Sequence, residues 1–270
     1  METIPAPRIT VGVHDSSESD LAVRWGAQHA HAVGGTLHLV HAMVWAELGV
    51  STEPVPGITD SGVGYAAQQL LADSTAIAHE IAPDLEVTSE TVDGNATAVL
   101  VGASRAADVI VVGGRGLGRV MRMVMGSKSL ALAARAYCPV VVVRGDIAID
   151  GPIGLVHSEN DAVIARAATL AAAYGVGVNV IVAAETPPER AEQILDHVAS
   201  VVAQTSDRVD VGEVLVPKAK GPRGLVDASE GTSLIVAPAP QETGGPEHAG
   251  VSQDLAAILR FTNTPIWIER

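Results

Sequence analysis

Aromatic residues are scarce in this chain: one Phe, three Trp and three Tyr among 270 residues. A core built with so few rings must rely on Val, Ala, Leu and Ile. That suits α/β layering, in which small helical faces pack on branched strands. Cysteine occurs once, at Cys138, so no internal disulfide can form. Ahead of Pro139 and a valine run, Cys138 reads as a small buried filler. Basic residues are outnumbered, 17 Lys and Arg against 31 Asp and Glu, for a net charge of −14. A sequence-neutral grip on a phosphate backbone needs clustered cations, so nucleic acid is not an expected partner. No apolar run is long enough to span a membrane, and residues 1–8 contain no apolar leader core. The expectation is a soluble, cytoplasmic protein without a membrane partner.

What is plentiful is glycine beside valine. Val109-Ile-Val-Val112 is the continuous β-branched run of a strand buried on both faces of a parallel sheet. It ends in Gly113-Gly114-Arg115-Gly116-Leu117-Gly118-Arg119. Glycine allows a ligand to come closer to the main chain than any Cβ would permit, and Arg115 and Arg119 add positive charge beside that backbone. Gly126-Ser127-Lys128 then opens a helical pattern whose free N–H groups and positive dipole end favour an anion. The loop is not a Walker motif, because Lys128 does not directly follow a second glycine, and it lacks the dinucleotide fingerprint's spacing and its place on a first strand.

The rest of the first half alternates strand and helix. Ile9–Val13 is a strand, His14–Ser19 a polar turn fit to cap a helix, and the helix closes at Gly34-Gly35. Thr36–Met43 is the second strand. Residues 45–64 are rich in Pro and Gly and read as a loop. A helix over Ala66–Ala82, a strand over Leu85–Val92, a helix over Ala96–Ala107 and a last strand over Val140–Val143 complete the half. The histidines do not form a metal set: His38 and His41 point to opposite faces of a strand, and His29 and His31 do not share a helix face.

The spacing Gly113-x2-Gly116-x9-Gly126-Ser127, closed by Cys138-Pro139-Val140, resembles the nucleotide-binding signature of the universal stress protein family, in the form carried by members that bind ATP. The resemblance covers nearly all of residues 8–145. It implies five parallel strands in the order 3-2-1-4-5, with ATP at the carboxyl ends of strands 1 and 4. It implies that Gly113, Gly114, Arg115, Gly116, Leu117, Gly118, Arg119, Gly126, Ser127 and Lys128 surround the ribose and phosphates. Gly12 would give close approach at the first strand end, and Ala42 would meet adenine through its backbone. His14 stands where the family usually has an aspartate, with Asp15 next to it. Mg²⁺ could accompany the triphosphate, although no carboxylate pair is visible to hold it.

A second, weaker copy follows. Gly154-Leu-Val-His157 echoes Gly12-Val-His14, Leu234–Pro240 echoes the strand and glycine loop, and Thr264-Pro-Ile-Trp-Ile268 echoes Cys138-Pro-Val-Val-Val. Aligned by motif, Gly113 becomes Ala237, Gly114 becomes Pro238, Gly116 becomes Pro240 and Ser127 becomes Val251. Proline removes a donor and fixes φ, so this copy is expected to keep the fold and lose nucleotide binding. The expected architecture is two tandem doubly wound parallel-sheet domains, 1–147 and 148–270. The family's subunits pair through the last strand, which implies either an intramolecular pseudo-dimer of the two halves or a homodimer. The function implied is regulatory: an adenine nucleotide changes a surface that a partner protein reads in a stress response. No catalytic set is visible. Slow ATP hydrolysis would have Asp15 as its nearby base, and an empty dimerisation scaffold is the remaining alternative.

Overall fold

A computed structural model describes residues 5–43, 62–114, 127–156, 160–183, 186–216, 221–239 and 262–270. The first half runs β1 (Arg8–Val13), α1 (Ser17–Val33), β2 (Thr36–Met43), α2 (Gly62–Ile81), β3 (Val87–Asp93), α3 (Ala96–Ala103), β4 (Val109–Gly113), α4 (Ser127–Arg135) and β5 (Val140–Val143). The second half repeats the plan with β6 (Ile153–Val156), α5 (Asp161–Tyr174), β7 (Val178–Ala183), α6 (Pro188–Thr205), β8 (Val211–Val216), α7 (Gly221–Ser229), β9 (Leu234–Pro238) and β10 (Ile266–Glu269).

All ten strands form one sheet in the order β3-β2-β1-β4-β5-β10-β9-β6-β7-β8. Each half has the order 3-2-1-4-5 in its own numbering, and every pairing within a half is parallel. The halves meet where β5 and β10 run antiparallel, with Val142 opposite Ile266, Val141 opposite Trp267 and Val140 opposite Ile268. Two apolar edges, each a liability if left unpaired, thus cover one another. The valine-rich strands are buried on both faces. Val109 and Val111 join the cluster under α1, α2, α5 and α6, while Ile110 and Val112 join the one under α3 and α4.

Local chemistry sets the element ends. Ser16 is the N-cap of α1, its Oγ accepting from Ser19 N at 3.2 Å. Gly34 closes the same helix at φ 64°, a left-handed position that costs other residues dearly. Helix α3 ends four residues before the pattern predicts. Ser104 intervenes, its Oγ donating to Val101 O at 2.7 Å and accepting from Tyr137 N at 2.9 Å. A side chain bonded to its own last turn and to the turn between α4 and β5 competes with helix continuation. Strand β3 starts at Val87 rather than Leu85 because Leu85 is tied back to the end of α2, its N donating to Ala82 O at 3.1 Å and its O lying 3.2 Å from His79 Nε2.

The register corrects the motif alignment of the two halves. Ile9 pairs with Val109, and Ile153 pairs with Leu234. Counting from those pairs, Gly113 corresponds to Pro238, Gly114 to Ala239 and Arg115 to Pro240; Gly12 corresponds to Val156 and His14 to Ser158. Hydrogen bonds agree: Gly114 N donates to Val143 O at 2.8 Å, and Ala239 N donates to Glu269 O at 2.6 Å. The glycine-rich turns stand one or two residues out of step with the ladder, because turn composition is less constrained than strand register.

Candidate functional site

The carboxyl ends of β1, β2 and β4 enclose a cleft with α3 as its outer wall. Gly12, Val13 and His14 come from β1 and the turn after it, Val40 and Ala42 from β2, Ala96 and Leu100 from α3, and Val112 and Gly113 from β4. Strands β1 and β4 are hydrogen-bonded neighbours whose helices leave in opposite directions, which is where an open α/β sheet offers a crevice to a ligand. The walls are apolar apart from main-chain groups and His14, so the cleft suits a flat, weakly polar body with polar groups at its rim.

Four of the residues singled out in the sequence, Gly12, His14, Ala42 and Gly113, line this one cleft. His14 is held in place: its N donates to Ser19 Oγ at 3.0 Å, and its Nε2 lies 3.4 Å from Ser16 Oγ. Gly113 lies so near the first turn of α1 that a Cβ there would run into the Glu18 carbonyl. Its lack of a side chain is therefore demanded by packing as well as by any ligand. Gly114 follows directly, its N–H engaged by Val143 O. Ser127 and Lys128 form the first turn of α4, but their side chains lie outside the described residues. Arg115, Gly116, Leu117, Gly118, Arg119 and Gly126 lie outside them altogether, as do positions 45–61 of the loop read over 45–64, whose last residues 62–64 instead open α2, and positions 240 and 251 of the second copy.

Sequence reasoning missed the α3 wall. Its signal was present in Asn95, which caps α3 by accepting from Thr97 N at 3.0 Å and so turns the helix start toward the strand ends. It also missed His41, whose Nδ1 lies 2.9 Å from Val13 O and steadies the cleft floor. His38 and His29 have partners of their own. His38 sits between Thr88 Oγ1 at 2.8 Å and Glu90 Oε1 at 2.9 Å, and His29 lies 2.9 Å from Tyr174 OH. Among the described residues no group of three His, Cys, Asp or Glu could hold a metal ion, and no helix is long and apolar enough to cross a membrane. Burial pushes the Cys138 thiol up to about 12, which leaves it a packing residue rather than a nucleophile.

The fold and cleft define a doubly wound α/β protein with a crevice at its switch point. The model of the universal stress protein family matches residues 6–144, and the chain belongs to that family. A universal stress protein of Mycolicibacterium smegmatis is 34% identical over 145 residues, which is 51% of this chain and 48% of that one. Universal stress protein Rv2005c of Mycobacterium tuberculosis is 35% identical over 146 residues, 52% and 49% of the two chains. The matched stretch spans about half the length of these curated relatives. The crystal structure of a universal stress protein from Archaeoglobus fulgidus shares the fold of both halves. Its TM-score is 0.73 at 15% identity, covering 98% of this chain and 97% of that one.

Proposed function

We propose that this chain binds an adenine nucleotide, ATP in the first instance, in the cleft of residues 1–147 and acts as a regulatory protein in a stress response. The observation that carries the reading is the convergence of Gly12, His14, Ala42 and Gly113 on one apolar crevice at the carboxyl ends of β1, β2 and β4. The base lies between Val40, Leu100 and Val112, with the Ala42 backbone at its edge. His14 faces the ribose. The phosphates run past Gly113 toward the amides of residues 115–127 and the first turn of α4, where main-chain N–H groups and helix dipole favour an anion. Arg115, Arg119 and Lys128 supply charge and Ser127 a hydroxyl. Mg²⁺ travels with the triphosphate.

The domain of residues 148–270 is in this reading a built-in partner. The position equivalent to Gly113 is Pro238, which has no N–H, and that equivalent to Gly114 is Ala239, which has a Cβ. Through β10 it covers the β5 edge that would otherwise seek a second chain.

The test is mass spectrometry of the small molecule released by acid from the natively purified chain, followed by titration with ATP. Released ATP and a stoichiometry of one per chain are expected. ADP in its place would indicate turnover. No bound nucleotide and no response to added ATP would leave a dimerisation scaffold. Replacing Gly116 with Trp is expected to abolish binding while leaving the fold intact.

A further inference from the structure

The far ends of β4 and β5 lie side by side, Gly113 opposite Val143. The next residue on β5 is Arg144, one step beyond the strand and at the same end of the sheet as the cleft. Its side chain turns back over the β4 end. A Cβ built on Gly114 would stand 2.5 Å from both Arg144 Cγ and Arg144 Nε, and Arg144 Nη2 lies 3.5 Å from Gly114 O. The stem therefore rests on bare glycine backbone, and the guanidinium of this half-buried residue is carried to the first residue beyond the cleft lining. A guanidinium offers five N–H donors in a planar fork that matches two oxygens of a phosphate.

We propose that Arg144 is a phosphate-holding residue of the cleft that selects nucleoside di- and triphosphates over nucleosides and monophosphates. This rests on the nucleotide-binding reading above and adds to it a cation that the glycine-loop spacing does not contain. The second half supplies an internal contrast. The counterpart of Gly114 is Ala239, with Arg270 in the place of Arg144. The Cβ of Ala239 occupies the space that the Arg144 stem uses in the first half, so the same seat cannot form there. Gly114 thus has a role apart from turn formation: it is the seat of Arg144.

Isothermal titration of the intact chain with adenosine, AMP, ADP and ATP tests this. In the unaltered chain affinity should rise with tail length. Arg144→Gln should weaken ADP and ATP by about ten-fold or more while leaving adenosine unchanged. Arg144→Lys should recover part of the loss, since a point charge attracts phosphate without the fork. Gly114→Ala should show the same tail-specific loss, and combining it with Arg144→Gln should add little. If Arg144→Gln binds ATP as tightly as the unaltered chain, or if adenosine and ATP weaken equally, the inference is overturned and the cleft reading stands. If the unaltered chain binds none of the four, the cleft reading fails and takes the inference with it.

Discussion

Single residues carry the tightest constraints on the cleft. Gly113 was legible in the sequence as an abrupt end to a valine strand. The reason visible in the fold, the Glu18 carbonyl of α1 at the place of its missing Cβ, was not, because no sequence pattern announces which backbone passes nearby. Gly113→Ala should destabilise the chain by about 1–3 kcal/mol through that overlap, read as a lower denaturant midpoint at unchanged slope. Retained stability would mean that α1 has room to shift. Cys138 was legible as filler from its apolar surroundings. With its thiol pushed up to about 12, it should resist iodoacetamide at pH 8 in the folded chain and react once the chain is unfolded. Rapid labelling of the folded chain would contradict its burial in the cluster that holds Ala136 and Val140.

Elements were legible in kind and order, and less so at their ends. The valine runs, the capping turn at Ser16 and the αL closure at Gly34 follow from local chemistry, and all are seen. The end of α3 depends on a hydroxyl bonded across to Tyr137, between α4 and β5, a tertiary contact that periodicity cannot report. The equivalence of the two copies likewise needed the ladder, since counting from Ile9–Val109 and Ile153–Leu234 puts Pro238, rather than Ala237, at the Gly113 position. Helix α1 is the element on which the cleft leans hardest. It faces Gly113 with Glu18, holds His14 through Ser19 and Ser16, and packs Trp25 fully buried on the sheet. Ser16→Ala should lower stability by about 1 kcal/mol, the usual worth of an N-cap hydroxyl. It should also loosen His14, seen as broadened imidazole resonances. A variant with unchanged stability and sharp His14 signals would show that the cap does not anchor the cleft.

At the scale of the molecule, the seam between the halves is more than a strand pair. His29 of α1 stacks on Trp25 at 5.1 Å, meets Trp267 of β10 edge-on at 5.5 Å and lies 2.9 Å from the hydroxyl of Tyr174 on α5. Beyond Trp267, Glu269 accepts from Trp267 Nε1 at 2.6 Å and from Arg166 Nε at 3.0 Å. Edge pairing was legible from the two apolar last strands. This aromatic lock was not, because its members are scattered from residue 25 to residue 269. Burial, with Arg166 adding to it, lowers the His29 pKa from 6.5 to about 4, so the folded chain keeps the ring neutral while the unfolded chain takes up a proton. Stability should therefore be full above pH 6.5, fall by about 3 kcal/mol as pH drops toward 4, and lose no more from this group below that. Thermal unfolding of the unaltered chain and of His29→Gln across this range checks it: the variant should lack that part of the slope, and equal slopes would place the acid sensitivity elsewhere. Trp267→Ala should cost about 3–5 kcal/mol, since it empties the centre of the seam.

The central claim is that one cleft, in the first half alone, receives the nucleotide. Hydrogen exchange of the intact chain with and without saturating ATP addresses it most directly. The account predicts slowed exchange at Val13–His14 and at the amides of residues 115–127, with no change at Leu234–Ala239. Protection confined to the second half, or absent from both, would contradict it.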